Sequence, residues 1–232
     1  MKRRYQRAEA TELEGGFGVA LDQKPLSTPM RHPMAVPVRA LAEAIAAEWQ
    51  AQGEEVIPNT MPLTQLAATA LDRIEERREQ VVGELAAYGS TELLCYRAEH
   101  PAELARRQAE GWQPLLDWFA LRFDAPLAVT SGVVPKPQSP AALAAVRAAI
   151  AERSSFELAA LALATQAAGS IVLGLALVEE RVDAPAAWSL SLLDELYQAE
   201  LWGEDSEAAS RRESIRRDIL AAERFLKLLR QG

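Results

Sequence analysis

The first third of the chain alternates short apolar stretches with turn residues, a pattern typical of β-strands. The stretches RRYQRAEATEL and GFGVAL predict two strands that join across Gly15–Gly16. A second turn over residues 22–24 leads into a third strand. Short strands separated by turns predict an antiparallel meander. Prolines then interrupt regular structure at four positions, Pro25, Pro29, Pro33 and Pro37.

One helix is predicted over residues 37–52, with Pro37 at its first position and Gly53 just beyond its end. Apolar side chains spaced four apart give this helix one buried stripe, formed by Leu41, Ile45 and Trp49. The connector EEVIPNTMP follows, with a short strand over residues 56–57. Because the pattern changes here, we place a domain boundary in this connector.

From Pro62 onward, apolar positions recur with helical spacing. Helices are predicted over 62–88 with Gly89 as terminator, in two pieces within 101–123 split near 111–114, and over 141–153, 158–178, 184–201 and 206–230. A short helix or turn is expected at STELLCYR, and a proline-rich loop over residues 135–140. The sequence therefore predicts a segregated α+β fold. A small antiparallel β-rich N-terminal domain with one helix spans residues 1–58, and a larger all-helical C-terminal domain spans residues 59–232.

Residues 158–178 form an uncharged, apolar stretch that is long enough to cross a bilayer. However, the stretch is rich in alanine and glycine, contains Thr165, Gln166 and Ser170, and has no flanking aromatic belt. A helix that is apolar on all sides also occurs at the centre of a soluble bundle. We therefore predict a buried helix, closely packed by its neighbours, and no insertion into a membrane.

Composition limits the classes of function. The 232 residues, 49% apolar and 25% charged, suit a globular protein of one large or two small domains. The net charge of -8 argues against nucleic acid as a partner, because phosphate binding requires clustered lysine and arginine. The single cysteine excludes an internal disulfide, and the basic N-terminus lacks the apolar segment of a secretory signal. We expect a bacterial cytoplasmic protein that begins at Met1.

Motifs for metal, nucleotide or nucleophilic chemistry are absent from the sequence. His32 and His100 lie far apart, one cysteine cannot supply a zinc cluster, and neither a P-loop nor a G-x-S-x-G elbow occurs. Cys95 lies near His100, but a reactive thiol also needs an electropositive setting, so Cys95 is expected to be a buried structural residue. We predict no metal, no cofactor and no catalytic residue.

The stretch ELYQAELWGEDSEAASRR, residues 195–212, is the most unusual in the chain, because four carboxylates and a tryptophan crowd into residues 200–207. Paired catalytic carboxylates would need a cleft that separates their pKa values, and the ligand pattern of a calcium loop is missing. Helix punctuation explains part of the cluster: Gly203 ends one helix, Asp205 caps the next, and Glu207 lies in its first turn. A surface that binds another protein explains why an aromatic residue lies among the charges.

Strings along nearly the whole chain resemble one family, the assembly chaperone of the F-type ATP synthase catalytic head that binds the free alpha subunit. The matching strings are KRRYQRAEA, VALDQKPLSTP, LAEAIAAEWQAQGEEVIPNTMPLTQLAATALDR, YGSTELLCYRAEHPAELARRQAEGWQPLLDW, GSIVLGLAL and ELYQAELWGEDSEA. The sequence departs from the family pattern in two places. Asp22-Gln23-Lys24 stands where the family usually has Asp-Gly-Arg, and Glu92 stands where it often has Asp.

The resemblance implies a non-catalytic molecular chaperone that binds the unassembled alpha subunit and promotes assembly of the catalytic head. It implies no nucleotide hydrolysis, and we expect a monomer when the chain is free. For eukaryotic relatives it implies the mitochondrial matrix. Since Glu195, Gln198 and Trp202 share a helix face, we predict a partner-binding site formed by Glu195, Gln198, Glu200, Trp202, Glu204, Asp205 and Glu207. The alternative is a soluble helical enzyme of unknown substrate that uses the acidic cluster near Trp202.

Overall fold

The N-terminal sheet has three antiparallel strands in the order β1 (Ala8–Leu13), β2 (Gly16–Leu21) and β3 (Lys24–Pro25). The structure is a computed structural model that describes residues 2–132 and 136–231. The turn between β2 and β3 places Asp22 at φ 47° and Gln23 at φ 69°. Two consecutive positive φ angles match the twist of an antiparallel hairpin, so this turn forms without the family's usual glycine. The predicted meander is confirmed.

Helix α1 (Arg39–Gln50) packs against β1 and β2 and fully buries Leu41 and Ile45. It begins two residues later than predicted, because Val38 is its N-cap and Pro37 therefore lies outside the helix. Trp49 is only half-buried. The strand predicted over residues 56–57 does not form: the nearby β-structure is an isolated bridge between Lys2 and Glu55, followed by a 3₁₀ turn over Pro58–Thr60.

The rest of the chain is mostly helical, as predicted. Helices α2 to α10 span Pro62–Thr69, Glu75–Ala87, Ala102–Phe123, Pro140–Ala151, Ser155–Ala168, Ile171–Val178, Ala184–Ser191, Leu193–Trp202 and Ser206–Leu229. A π-helical turn, Ala70–Ile74, joins α2 to α3, and 3₁₀ turns occupy Tyr88–Thr91 and Leu93–Cys95. Two short strands, β4 (Tyr96–Arg97) and β5 (Thr130–Ser131), pair in parallel. The fold is α+β, with the main sheet at the N-terminus. The predicted loop over residues 135–140 lies partly outside the described residues.

Three predictions of where helices are continuous or broken are wrong. The apolar stretch 158–178 is two helices, α6 and α7, because the chain breaks at Gly169, whose φ is +67°. The predicted helix 184–201 is also two helices, α8 and α9, interrupted at Leu192. Conversely, α4 runs without a break through Gly111 and Pro114, where a split was predicted. Among the described residues, no helix combines the length and the apolarity needed to span a membrane.

The chain groups into two compact units, one of residues 1–78, 154–160 and 221–232 and the other of residues 79–153 and 161–220. The predicted boundary after residue 58 does not coincide with this grouping, because α2 is held by α1. The Glu48 carboxylate accepts hydrogen bonds from the backbone N–H groups of Leu63 and Thr64, both at 2.8 Å, and so caps the start of α2.

Helix α7 forms the centre of the second unit, since every residue from Ile171 to Val178 is buried. Packing is close at Gly174, where an added Cβ would lie 2.3 Å from the Thr165 Oγ1 atom. Gly169, in contrast, has open space around it. The N-terminus of α7 is held by the fully buried Glu92, which accepts hydrogen bonds from the Ser170 hydroxyl and the Ile171 N–H.

Candidate partner-binding surface

The junction between α9 and α10 is built by the predicted helix punctuation. Gly203, with φ +90°, is the C-cap of α9, and its N–H donates to the Ala199 carbonyl at 3.0 Å. Asp205 caps α10, because its Oδ2 accepts a hydrogen bond from the Ala208 N–H at 2.8 Å. The junction is therefore a defined turn between two helices.

Every residue from 200 to 207 is exposed. Leu201 is 55% exposed and Trp202 is 77% exposed, and they are two of the five large exposed hydrophobic residues in the described part of the chain. We define the α9–α10 patch as Gln198, Glu200, Leu201, Trp202, Glu204, Asp205 and Glu207. Sequence analysis missed Leu201. A signal was present, because an apolar pair directly before a helix-ending glycine is followed by no further helical turn that could cover it.

Glu195 lies at the edge of this patch and pairs with two arginines of α10. Its Oε2 is 2.9 Å from the Arg211 Nη1, and its Oε1 is 3.0 Å from the Arg212 Nη1. The Arg212 side chain is only 5% exposed and also binds the Glu204 carboxylate. Glu195, whose side chain is 30% exposed, therefore holds α9 against α10 and still reaches solvent.

A second set of contacts fixes α9 to α4. The Arg107 guanidinium lies 2.7 Å from the Glu200 carboxylate and 5.2 Å from the centre of the Tyr197 ring. Deeper in the interface, the fully buried Gln108 donates to the Asp194 carboxylate at 2.7 Å. The backbone that presents Trp202 is thus supported by both neighbouring helices.

The seven predicted site residues therefore fall into two groups. Glu195, Glu200, Glu204 and Asp205 are held by arginines or by a helix N-terminus, whereas Gln198, Trp202 and Glu207 are exposed. Glu195, Gln198 and Trp202 all lie on α9 but differ in burial, so the predicted common face is only partly open. Carboxylates paired with arginine in this way form a charged frame around an exposed apolar pair.

Other candidates for chemistry lie elsewhere. Cys95 is buried, as predicted, and burial raises the pKa of its thiol to about 12, so the thiolate needed for nucleophilic attack is strongly disfavoured. No group of three or more His, Cys, Asp or Glu residues within the described ranges could hold a metal ion.

Comparison with known proteins bears on these observations. A family model described as ATP12 chaperone protein matches residues 2–120. The crystal structure of Atp12 from Paracoccus denitrificans is 44% identical, covers 98% of this chain and 98% of its own, and superposes with a TM-score of 0.94. The chain belongs to the ATP12 chaperone family.

Two further relatives also match this ATP12 chaperone over most of its length. A point mutant of the Paracoccus denitrificans protein matches equally well, with 44% identity, 98% and 97% of the two chains covered, and a TM-score of 0.94. The mitochondrial protein atp12 of Schizosaccharomyces pombe is 25% identical over 214 residues, which cover 87% of this chain and 74% of that protein. The resemblance to the assembly chaperones of the ATP synthase is confirmed. The family model ends before the α9–α10 patch, whereas the Paracoccus structures match the chain almost completely.

Proposed function

We propose that this chain is a non-catalytic chaperone that binds the unassembled alpha subunit of the F-type ATP synthase through its α9–α10 patch. Binding keeps the alpha subunit from aggregating until the catalytic head assembles. Membership of the ATP12 chaperone family supports the class of function. The observation that carries the choice of surface is the exposed pair Leu201 and Trp202 within a frame of carboxylates.

An unassembled subunit presents an apolar interface that would otherwise associate with other chains. A protein that covers such an interface needs an apolar or aromatic anchor at the centre and charges around it. Leu201 and Trp202 provide the anchor, and Glu200, Glu204 and Glu207 provide the surrounding charge. Since acidic groups dominate the exposed edge, we expect the complementary surface of the alpha subunit to be basic.

Glu195 and Asp205 have a double role in this proposal. Asp205 fixes where α10 begins, and Glu195 neutralises Arg211 and the nearly buried Arg212 beside the patch. Without Glu195, the exposed guanidinium group of Arg211 would face the partner without its carboxylate, and the nearly buried Arg212 would keep only Glu204. Both residues therefore set the shape of the surface and the sign of its charge. Gln198, Leu201 and Trp202 make the central contacts with the partner.

Size-exclusion chromatography with separately expressed alpha and beta subunits tests the proposal. We expect a complex of the chain with the free alpha subunit, and no complex with the beta subunit or with assembled enzyme. The matched comparison is the same mixture with Trp202→Ala, which should elute as separate components. Co-elution with the beta subunit alone would contradict the choice of partner, and an intact Trp202→Ala complex would contradict the choice of surface.

A further inference from the structure

A second surface feature lies in the N-terminal unit, where an open cleft of about 790 Å³ is bordered by three separate parts of the chain. Lys2, Arg4 and Tyr5 come from the N-terminal segment, Lys24 comes from β3, and Trp49 comes from the end of α1. Two of the strings that carry the family resemblance, KRRYQRAEA and VALDQKPLSTP, therefore meet at this cleft. The family model, which spans residues 2–120, includes it as well.

The N-terminal wall of the cleft is firmly attached to α1. The Arg3 guanidinium donates hydrogen bonds to the Tyr5 carbonyl at 3.0 Å and to carbonyls at the C-terminal end of α1, including Gln50 at 3.3 Å. The Tyr5 hydroxyl donates to the Trp49 carbonyl at 2.7 Å, and the two rings lie 5.7 Å apart. These contacts place an aromatic pair at the cleft and fix the direction of the basic segment.

The turn between β2 and β3, which also lines the cleft, is fixed as well. The Asp22 carboxylate accepts hydrogen bonds from the backbone N–H groups of Gln6 and Arg7, at 3.0 and 2.9 Å, and these bonds hold the pKa of Asp22 below its usual value. The negative charge of Asp22 is thus engaged by the backbone. The strand that follows carries Lys24 on the rim.

No ion pair among the described residues neutralises the positive charge on this rim. Lys2, Arg4 and Lys24 are exposed, and none of them has a carboxylate within 4.0 Å among residues 2–132 and 136–231. Nearby Arg39, in contrast, pairs with Glu12. In a chain with a net charge of -8, the three cations at this cleft outnumber its one lining carboxylate, Asp22, and form a local region of opposite sign.

We propose that this cleft binds an extended acidic segment of the client polypeptide, as a second docking site besides the α9–α10 patch. The assignment of a polypeptide ligand rests on the proposed chaperone function. Charge complementarity selects an acidic segment, and the Tyr5–Trp49 pair offers a surface for apolar side chains between the acidic ones. The cations come from two separate segments of the chain, and Leu21, Pro25 and Leu26 also line the cleft, which suits a ligand with charges spread along its length better than one compact anion.

Fluorescence anisotropy with the full chain tests this site directly. The probe is a fluorescein-labelled peptide of about ten residues, roughly 33 Å when extended, in which glutamate alternates with leucine and glycine. We expect saturable binding that weakens with added salt, and about tenfold or greater weakening when Lys2→Glu, Arg4→Glu and Lys24→Glu are combined. The matched control combines Arg31→Glu, Arg77→Glu and Lys136→Glu, which changes the net charge equally at exposed positions elsewhere, and it should bind normally.

Several results would overturn the proposal. One is that peptide binding weakens equally in both triple variants. Another is that a peptide with glutamine in place of glutamate binds equally well. A third is that inorganic triphosphate or an RNA oligonucleotide competes more strongly than the unlabelled peptide. Dimerisation of the chain that the cleft variant abolishes would assign the cleft to a second copy instead. If the glutamate variant does not fold, glutamine at the same three positions removes the charge with less repulsion, and the same tenfold weakening is expected.

The test is independent of the α9–α10 patch. Trp202→Ala should bind the acidic peptide with unchanged affinity, since the cleft contains no residue of the patch. A chain that forms the alpha-subunit complex but does not bind the peptide would refute the cleft alone. A chain that binds the peptide through the three cations but forms no alpha-subunit complex would refute the proposed partner and leave the acidic-segment site standing.

Discussion

Replacing Trp202 by alanine should weaken binding of the alpha subunit while leaving the fold of the chain unchanged. The residue is 77% exposed, so its side chain contributes little to the packed interior. Surface substitutions that disturb no cap, buried group or network usually change the free energy of unfolding by about 0.5 kcal/mol or less. Any larger effect of Trp202→Ala on the complex must therefore come from the interface.

The exposed fraction also bounds the loss of binding. A tryptophan buries up to about 250 Å², and with 77% of it exposed, roughly 150–190 Å² is available for a partner to cover. At about 25 cal/mol per Å², this area corresponds to ~4–5 kcal/mol. Ordering and desolvation offset part of that gain, so we expect a loss of ~2–3 kcal/mol, or about 30- to 150-fold in Kd.

Two measurements on the same preparations separate binding from stability. Urea unfolding should give the same midpoint for Trp202→Ala as for the parent chain, and aggregation of alpha subunit diluted from denaturant should be suppressed much less by the variant. Leu121→Ala is the control, because Leu121 is 88% exposed and lies on α4 outside the patch. A stable Trp202→Ala protein that protects the alpha subunit fully would refute the assignment of the anchor.

Four other substitutions test further features of the structure. Glu195→Lys removes two ion pairs and adds a third cation beside the patch, so alpha-subunit binding should fall at least about tenfold with a stability loss of only ~1–2 kcal/mol; unchanged co-elution would exclude this residue from the site. Asp205→Ala should lower stability by ~0.5–2 kcal/mol through loss of the α10 cap, measured by urea unfolding. Gly174→Leu should lower stability by ~1–3 kcal/mol, because the added Cβ meets Thr165, and an unchanged midpoint would show that this position can expand. Burial raises the pKa of Glu92 to about 7 from 4.5, so the folded chain keeps a proton that the unfolded chain releases, and stability should fall by up to roughly 3 kcal/mol as pH rises between these values. Glu92→Gln should remove that part of the slope in pH-dependent unfolding.

Turn residues predicted the N-terminal sheet well, because the turns at residues 14–15 and 22–23 constrain the backbone locally. Apolar periodicity was less reliable for the helices. In the stretch 158–178, almost every side chain is apolar, so apolar periodicity alone does not show the break. The local signal is Gly169, which takes a positive φ, followed by Ser170, whose hydroxyl caps α7. Glycine in this stretch predicted close packing, yet only Gly174 is tightly enclosed and Gly169 is open. The sequence shows where glycine occurs, but only the fold shows whether a glycine is needed for a positive φ, as at Gly169, or for close packing, as at Gly174.

The same limit applies to the proposed partner-binding surface. The cap at Asp205 and the stop at Gly203 could be predicted, since both depend on adjacent residues. An internal arginine partner for Glu195 could be considered from the sequence, but not its identity, because the turn between α9 and α10 must first bring residues 16 and 17 positions apart together. Long-range partners such as Arg107 for Glu200 have no local signal at all.

Helix punctuation and the proposed partner binding at the α9–α10 junction would be two consequences of one arrangement. Tyr197 is the buried residue of α9, and the helix continues for more than a turn beyond it before Gly203 stops it. Leu201 and Trp202 therefore lie beyond the part of α9 that packs against the core. The chain turns towards Asp205 directly after them, so no further turn of α9 covers their side chains. The arginines that fix this geometry also neutralise Glu195, Glu200 and Glu204 in part, which lowers the electrostatic repulsion that so many carboxylates would otherwise cause. A surface of exposed apolar side chains in a rigid charged frame can thus persist on a stable protein, and this is the property that a chaperone needs when its partner is absent.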